Sequence, residues 1–296
     1  MVDVYGPCRS RHTFGNDNDV NGFIVVIYNT QTGEARMKKP KISIIILSYN
    51  RPAFVHECLA LLDGNLLRGL ENIDYEIIIS DDGSNEDTQK IYANPLRSPA
   101  EKDGNRKIEK IFVSDDRSRG AGYAWNEANK MVEGDYVLQV EDDFHLVRLF
   151  TEEQMFGVIE ALETVPGMEL CRLRNIDMGF MSRSQANCIA HRMEPKKYKF
   201  GGVDFEVYKK YVQGTDVDKE TNGPAYQYTG NAHLRRSNLW KRLGPHRENS
   251  TIGSAENHYA SKFREAGFRS GTFRPGWFFH AGSGFTCTKV LGEEGR

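Results

Sequence analysis

Four short apolar runs, at residues 42–47, 75–79, 108–113 and 136–140, constrain this chain more than any other feature. Each is close to continuous rather than alternating, the pattern of a strand buried on both faces. Stretches of helical period separate them. The clearest spans 120–133, where Ala121, Ala124, Trp125, Ala128, Met131 and Val132 form one stripe and Gly134 follows as a stop signal. Strands alternating with helices imply an α/β fold, a mostly parallel Rossmann-like sheet flanked by helices. Such sheets bind ligands at the carboxyl ends of their strands, so the residues just past each run are the candidate site.

The bulk numbers remove several function classes. The 296 residues suffice for one large α/β domain or two smaller ones. A net charge of −2 leaves no broad electrostatic footprint for nucleic acid or anionic membrane. The local basic clusters (Lys38, Lys39 and Lys41; Lys196, Lys197 and Lys199; Arg235 and Arg236) read as solvated faces or loops. Five scattered cysteines without a CxxC pair argue against a disulfide framework or a thiolate zinc site, and fit a reducing compartment. With no signal-like leader and no apolar run near the ~20 residues of a membrane span, the expectation is a soluble, cytoplasmic protein.

Three strand ends carry chemistry. After the first run stand Ser48, Tyr49, Asn50 and Arg51, then Pro52 at a helix start. A tyrosine and an asparagine there can stack on and hydrogen-bond a planar base; the plainer reading is a strand-to-helix turn. After the second come Asp81, Asp82, Gly83 and Ser84. A carboxylate here can accept from a base N–H or ribose hydroxyls, although Asp-Gly turn chemistry and a Ser84-x-x-Asp87 capping box would also account for it. After the fourth come Glu141, Asp142 and Asp143, with His145 two residues on. Three adjacent carboxylates repel one another, and a hard divalent cation bridging a diphosphate resolves that repulsion.

The segments ISIIILSYNRP, YEIIISDDGSNEDT, GAGYAWNEANKMVEGDYV with the EDD that closes the fourth strand, and TGNAHLRRSNLWKRLG together resemble family 2 glycosyltransferases of the GT-A fold, in order and spacing, over residues 42–280. The resemblance implies a transferase that moves a sugar from a nucleotide diphosphate, UDP-linked, to a hydroxyl acceptor with Mn²⁺ or Mg²⁺. It implies that Tyr49 stacks on uracil and that Asp82 or Asp81 holds the uracil N–H. Asp143 would bind the metal, while Asp142 or Glu141 would serve ribose or metal-bound water. Asn126 matches a family asparagine in the helix before the acidic motif. On this reading residues 1–40 are an accessory segment with a hairpin at 22–37. Residues 41–150 are the nucleotide-sugar-binding half, and 151–296 a less regular acceptor-binding and catalytic half, with a polar stretch at 182–223 and a helix at 256–267.

Glu256 resembles the family's catalytic carboxylate, the base that takes the acceptor proton in an inverting transfer. Relatives often read Glu-Asp where this chain has Glu256-Asn257, which leaves retaining chemistry open. The plainer reading of Glu256 is a first-turn carboxylate favoured by the helix dipole. His280, ending the aromatic run 277–280, would complete the metal site as a late histidine does in many GT-A enzymes; His145 competes through an Asp143-x-His145 arrangement. Imidazole with carboxylate suits Mn²⁺, and Mg²⁺ is the alternative.

Sugar nucleotidyltransferases share the sheet but need a Gly-rich loop after the first strand, absent from the run 48–52. A degenerate sugar-nucleotide or glycan-binding module is the second alternative. Residues 226–236 are expected to line the acceptor side, with Trp240 and Trp277 as possible stacking platforms or core. A saccharide, a lipid-linked glycan, a protein side chain and a modified nucleobase all stay open as acceptor.

Overall fold

The computed structural model describes residues 39–93, 110–114, 118–174, 196–207, 228, 230 and 232–282. The expected hairpin at 22–37 lies outside the described residues, as does most of the polar stretch at 182–223.

Strands β1 (Lys41–Ser48), β2 (Asp74–Asp81), β3 (Lys110–Val113) and β4 (Tyr136–Glu141) form the parallel part of a nine-stranded sheet. The sheet runs on through β9 (His233–Arg236), β6 (Met168–Arg172), β10 (Arg269–Arg274), β8 (Val203–Val207) and β7 (Lys196–Phe200), in the order β3-β2-β1-β4-β9-β6-β10-β8-β7. β9 is antiparallel to both β4 and β6, so β6 and its parallel neighbour β10 point the same way as β4. One sheet therefore spans both halves of the chain. A second, two-stranded sheet pairs β5 (Phe144–Leu146) with β11 (Phe278–His280).

Helix α1 (Pro52–Asn65) opens on its proline and buries Val55, Cys58, Leu59 and Leu62, an i, i+3, i+4, i+7 stripe. α2 is Glu86–Ala93, α3 Ala121–Met131, α4 Glu152–Thr164, α5 Leu239–Leu243 and α6 Ile252–Glu265. The capping box stands not at Ser84 but at α4, where Thr151 accepts from the Gln154 amide and Gln154 reaches back. The first turn of α2 is instead held by Asn85, whose side chain accepts from Thr88 N. The main core packs Ile42, Ile44, Ile46, Leu62, Ile79, Leu138, Val140 and Leu162 between sheet and helices.

Within the polar stretch, residues 196–207 form the β7–β8 hairpin rather than irregular chain. Gly201 and Gly202 both take positive φ (51° and 74°), as a tight two-residue turn requires, and Tyr198, Phe205 and Val207 anchor it inward. Arg235 is not a solvated cation: it is buried and donates to Asn129. No helix among the described residues is long and apolar enough to cross a membrane.

Candidate active site

The carboxyl ends of β1, β2 and β4 lie side by side, with Ser48 in register with Asp81 and Leu47 with Glu141. Backbone hydrogen bonds carry the pairing one residue further, from Asp82 N to Ser48 O (3.1 Å) and from Asp142 N to Leu47 O (3.0 Å). The base-recognition candidates and the acidic cluster thus share one edge of the sheet.

Asn50 has positive φ (51°), and its backbone N–H donates to Ser84 Oγ at 2.7 Å. Its side-chain oxygen accepts from Asn85 N at 2.7 Å, so Asn50 ties the end of β1 to the start of α2. Tyr49 beside it is half-buried. Asp81 is fully buried and accepts from Ser84 N at 2.6 Å, a turn-locking role. Asp82 accepts from Ser118 Oγ (2.6 Å), Arg119 N (2.9 Å) and Gly120 N (2.9 Å), and so holds the entry to α3. Burial pushes its carboxyl up, with those three donors opposing the shift. Asn126 has its whole amide engaged: Nδ2 donates to His246 O and Glu248 Oε1, and Oδ1 accepts from His246 N and Trp240 Nε1.

Arg51 faces the acidic cluster. Its guanidinium pairs with Asp142 and, at 2.6 Å, with Asp143 Oδ2. Part of the repulsion that called for a metal is therefore relieved by the chain itself. Burial still pushes Asp142 up to about 7, against the pull of Arg51. Burial alone would also raise Asp143, but His280 and Arg51 outweigh it and hold that carboxyl below its ordinary range. His280 Nε2 lies 3.3 Å from Asp143 Oδ2, and its ring stacks on Phe144 at 4.5 Å. Ala281 N donates to Asp143 O, and a Cβ on Gly282 would collide with the Asp143 carboxylate. His145, on the opposite face of β5, points to Glu57 (3.6 Å) and packs on Phe54.

α6 begins four residues earlier than the expected 256, because Thr251 caps it by accepting from Ser254 N. Glu256 is therefore past the first turn, which holds no acidic residue, and the helix-dipole account of it loses its footing. Gly230 N donates to Glu256 Oε1, and a Cβ built on Gly230 would lie 2.6 Å from both Glu256 Oε1 and Glu141 Oε1. The two carboxylates are thus close neighbours. Burial raises Glu256, partly opposed by the Gly230 N–H; burial, then Asp143 and Glu256, raise Glu141 well above its ordinary value. Asn257 is exposed.

Asp143 and His280 offer a carboxylate–imidazole pair, and Asp143 Oδ1 is buried with no hydrogen-bond partner among the described residues. That donor set fits a divalent cation that takes its remaining ligands from substrate phosphates and water. It is not a closed protein cage: among the described residues no group of three or more His, Cys, Asp or Glu is disposed to hold a metal. Trp277 is core, stacked on Phe150 at 4.1 Å, and the half-buried Trp240 donates to Asn126. Sequence reasoning missed the glycines at 230 and 282, although the first lies inside the TGNA segment. It also missed Arg174, two residues past β6.

Residues 43–148 match the family model described as glycosyl transferase family 2. Among curated proteins, the GalNAc(5)-diNAcBac-PP-undecaprenol beta-1,3-glucosyltransferase of Campylobacter jejuni is 25% identical over 173 residues, which cover 58% of this chain and 52% of that protein. The chain thus matches about half the length of this relative. Among solved structures, S. aureus TarS 1-349 in complex with UDP-GlcNAc superposes with a TM-score of 0.54 at 17% identity, covering 83% of this chain and 62% of that one. Mannosyltransferase PcManGT from Pyrobaculum calidifontis, in complex with GDP-Man and Mn²⁺, gives 0.51 at 15% identity, covering 79% and 54%. At these identities the structural likeness carries the fold alone. Residues 43–148 thus match the family 2 glycosyltransferase model, and the architecture built around them is the GT-A fold.

Proposed function

We propose that this chain is an inverting, divalent-metal-assisted glycosyltransferase that moves a sugar from a UDP-sugar to a hydroxyl acceptor, with Glu256 as base. The observation that carries the reading is the meeting of Glu256, from α6, with Glu141 across Gly230 at the carboxyl end of β4, beside Asp143 and His280. Ser48, Tyr49, Asn50, Asp81 and Asp82 form the nucleotide end of the site. Asp82 orders the loop at Ser118–Gly120, and Tyr49 is the stacking surface for the base. Mn²⁺ or Mg²⁺, held by Asp143 and His280, would supply charge neutralisation of the leaving diphosphate. Glu256 takes the acceptor hydroxyl proton while that oxygen attacks the anomeric carbon and the bond to the diphosphate breaks. Its raised pKa makes it a stronger base than an exposed carboxylate. TarS in complex with UDP-GlcNAc supports the uridine donor, and the PP-undecaprenol-linked glycan in the name of the Campylobacter relative supports a lipid-linked glycan as acceptor. The buried free thiols Cys58 and Cys171 suit a reducing, cytoplasmic setting.

A second reading, a sugar-nucleotide-binding module without turnover, draws on Arg51, which already neutralises Asp142 and Asp143. UDP release from UDP-sugars separates the two. In the transferase, Glu256→Gln lowers transfer by about a hundredfold or more while donor binding persists, and Asp143→Ala abolishes metal-stimulated release. Near-normal transfer in Glu256→Gln would remove Glu256 as base, and no release by the wild type from any sugar nucleotide would favour the module.

A further inference from the structure

The acidic cluster gathers Glu141, Asp142, Asp143 and Glu256, yet a donor brings two more negative charges in its diphosphate. Arg51 is engaged by Asp142 and Asp143. A second guanidinium, that of Arg174, feels the charges of Asp143 and Glu141. Arg174 follows β6, which runs parallel to β4, so it emerges at the same edge of the sheet as Glu141. Its backbone is fixed there by a bridge to Phe278 on β11. Gly276 completes the fit, because a Cβ there would collide with the Arg174 carbonyl. The Arg174 guanidinium lies over the Phe144 ring, 5.6 Å from its centroid, and His280 stacks on the same ring at 4.5 Å. Phe144 immediately follows Asp143, so the stack brings Arg174 and the Asp143–His280 pair onto one aromatic support. Arg174 is half-buried and feels the charges of Asp143 and Glu141, which oppose the lowering caused by its burial.

We propose that Arg174 binds the diphosphate of the sugar-nucleotide donor, a positioning and charge-neutralising residue for the leaving group. The inference rests on the donor reading above. A guanidinium presents a planar fork that matches phosphate oxygens, and the aromatic support holds that plane in place. Phosphoryl anions could also come from a phosphorylated acceptor, but Arg174 stands beside Asp143, at the donor end.

Titration calorimetry of wild type, Arg174→Gln and Arg174→Lys with UDP and with UMP, in Mn²⁺, tests this, after circular dichroism has shown the variants folded. Losing a charge-assisted contact of about 1.5–3 kcal/mol corresponds to roughly a 10- to 100-fold weaker UDP affinity. The expected result is that loss in Arg174→Gln, a much smaller change for UMP, and partial recovery in Arg174→Lys. Equal UDP affinity in wild type and Arg174→Gln overturns the proposal, as does an equal loss for UDP and UMP, which a merely structural role would give. Unchanged UDP affinity with a fall confined to transfer onto a phosphorylated acceptor would move Arg174 to the acceptor and also overturn it. No binding of either nucleotide by the wild type would sink the donor reading itself, a different failure. If both variants fail to fold, Arg174 is a structural residue and the assignment falls.

Discussion

Gly230 has neighbours that leave no room for a side chain: Glu141 Oε1 and Glu256 Oε1, each 2.6 Å from where a Cβ would sit, and Trp125 Cζ2 at 3.1 Å. Its N–H also orients Glu256. Gly230→Ala must push one of the two carboxylates aside, and a displacement near 1 Å costs about a hundredfold in rate. The expected outcome is that fall in kcat with UDP affinity unchanged, checked by steady-state kinetics alongside calorimetry. Nothing in the sequence marks this glycine apart from its place in the TGNA segment. Its role follows from two carboxylates more than a hundred residues apart in the chain, a relation no local pattern encodes. Glu141, Asp142 and Asp143 were legible because three adjacent acids at a strand end conflict with ordinary burial. The pairing of Arg51 with two of them was not, since a turn arginine carries no sign of its partner.

Among the elements, those with a strong local period were legible: β1, β2, β4, α3 and α4. β9 and β10 are rich in Arg, Ser and Thr, and are strands because they pair inside the sheet rather than because of their own propensity. The start of α6 lies ahead of the expected 256 because Thr251 caps it before Ile252 and Gly253, and a glycine in the first turn carries little helical signal. α3 shows how an element reaches the site indirectly. Asn126 fastens it to the 246–248 segment through three hydrogen bonds and to Trp240 through a fourth, and Gly122 packs against Arg247 O so closely that a Cβ would collide. This segment leads into α6, which carries Glu256. Asn126→Ala leaves the buried backbone of His246 without its partners and is expected to cost about 3 kcal/mol, read as a lower urea midpoint at unchanged slope. If stability is unchanged but UDP binding is lost, Asn126 belongs to the donor site instead.

Across the molecule, the sheet has two ends with opposite electrostatic designs. At the carboxyl end acids gather for the proposed chemistry. At the amino end Glu76 is fully buried and satisfied: Ser43 Oγ and Glu133 N donate to it, with Lys110 at 2.9 Å and Lys41 at 3.3 Å. Burial pushes Glu76 up, but the Ser43, Lys110 and Glu133 donors outweigh it and bring its pKa to about 2, against an ordinary 4.5. A depressed carboxylate contributes stability that is complete above its unfolded value and lost as pH falls toward the folded one. The wild type should therefore lose up to about 3 kcal/mol from this group between pH 4.5 and 2. Urea titrations of wild type and Glu76→Gln at pH 6 and pH 3 check it: the gap between them narrows at low pH. An equal gap at both pH values would mean that Glu76 does not carry the acid sensitivity.

Thermal unfolding of the protein with UDP, GDP and their sugar conjugates, each with and without Mn²⁺, tests the donor site most directly. A ligand that binds only the folded state raises the midpoint by mass action, by about 2.7 kcal/mol of stabilisation at one hundred times its Kd. The expected result is a rise with a uridine diphosphate that is larger with Mn²⁺ and lost in Asp143→Ala. A folded protein whose midpoint is moved by no nucleotide, with or without metal, would contradict it.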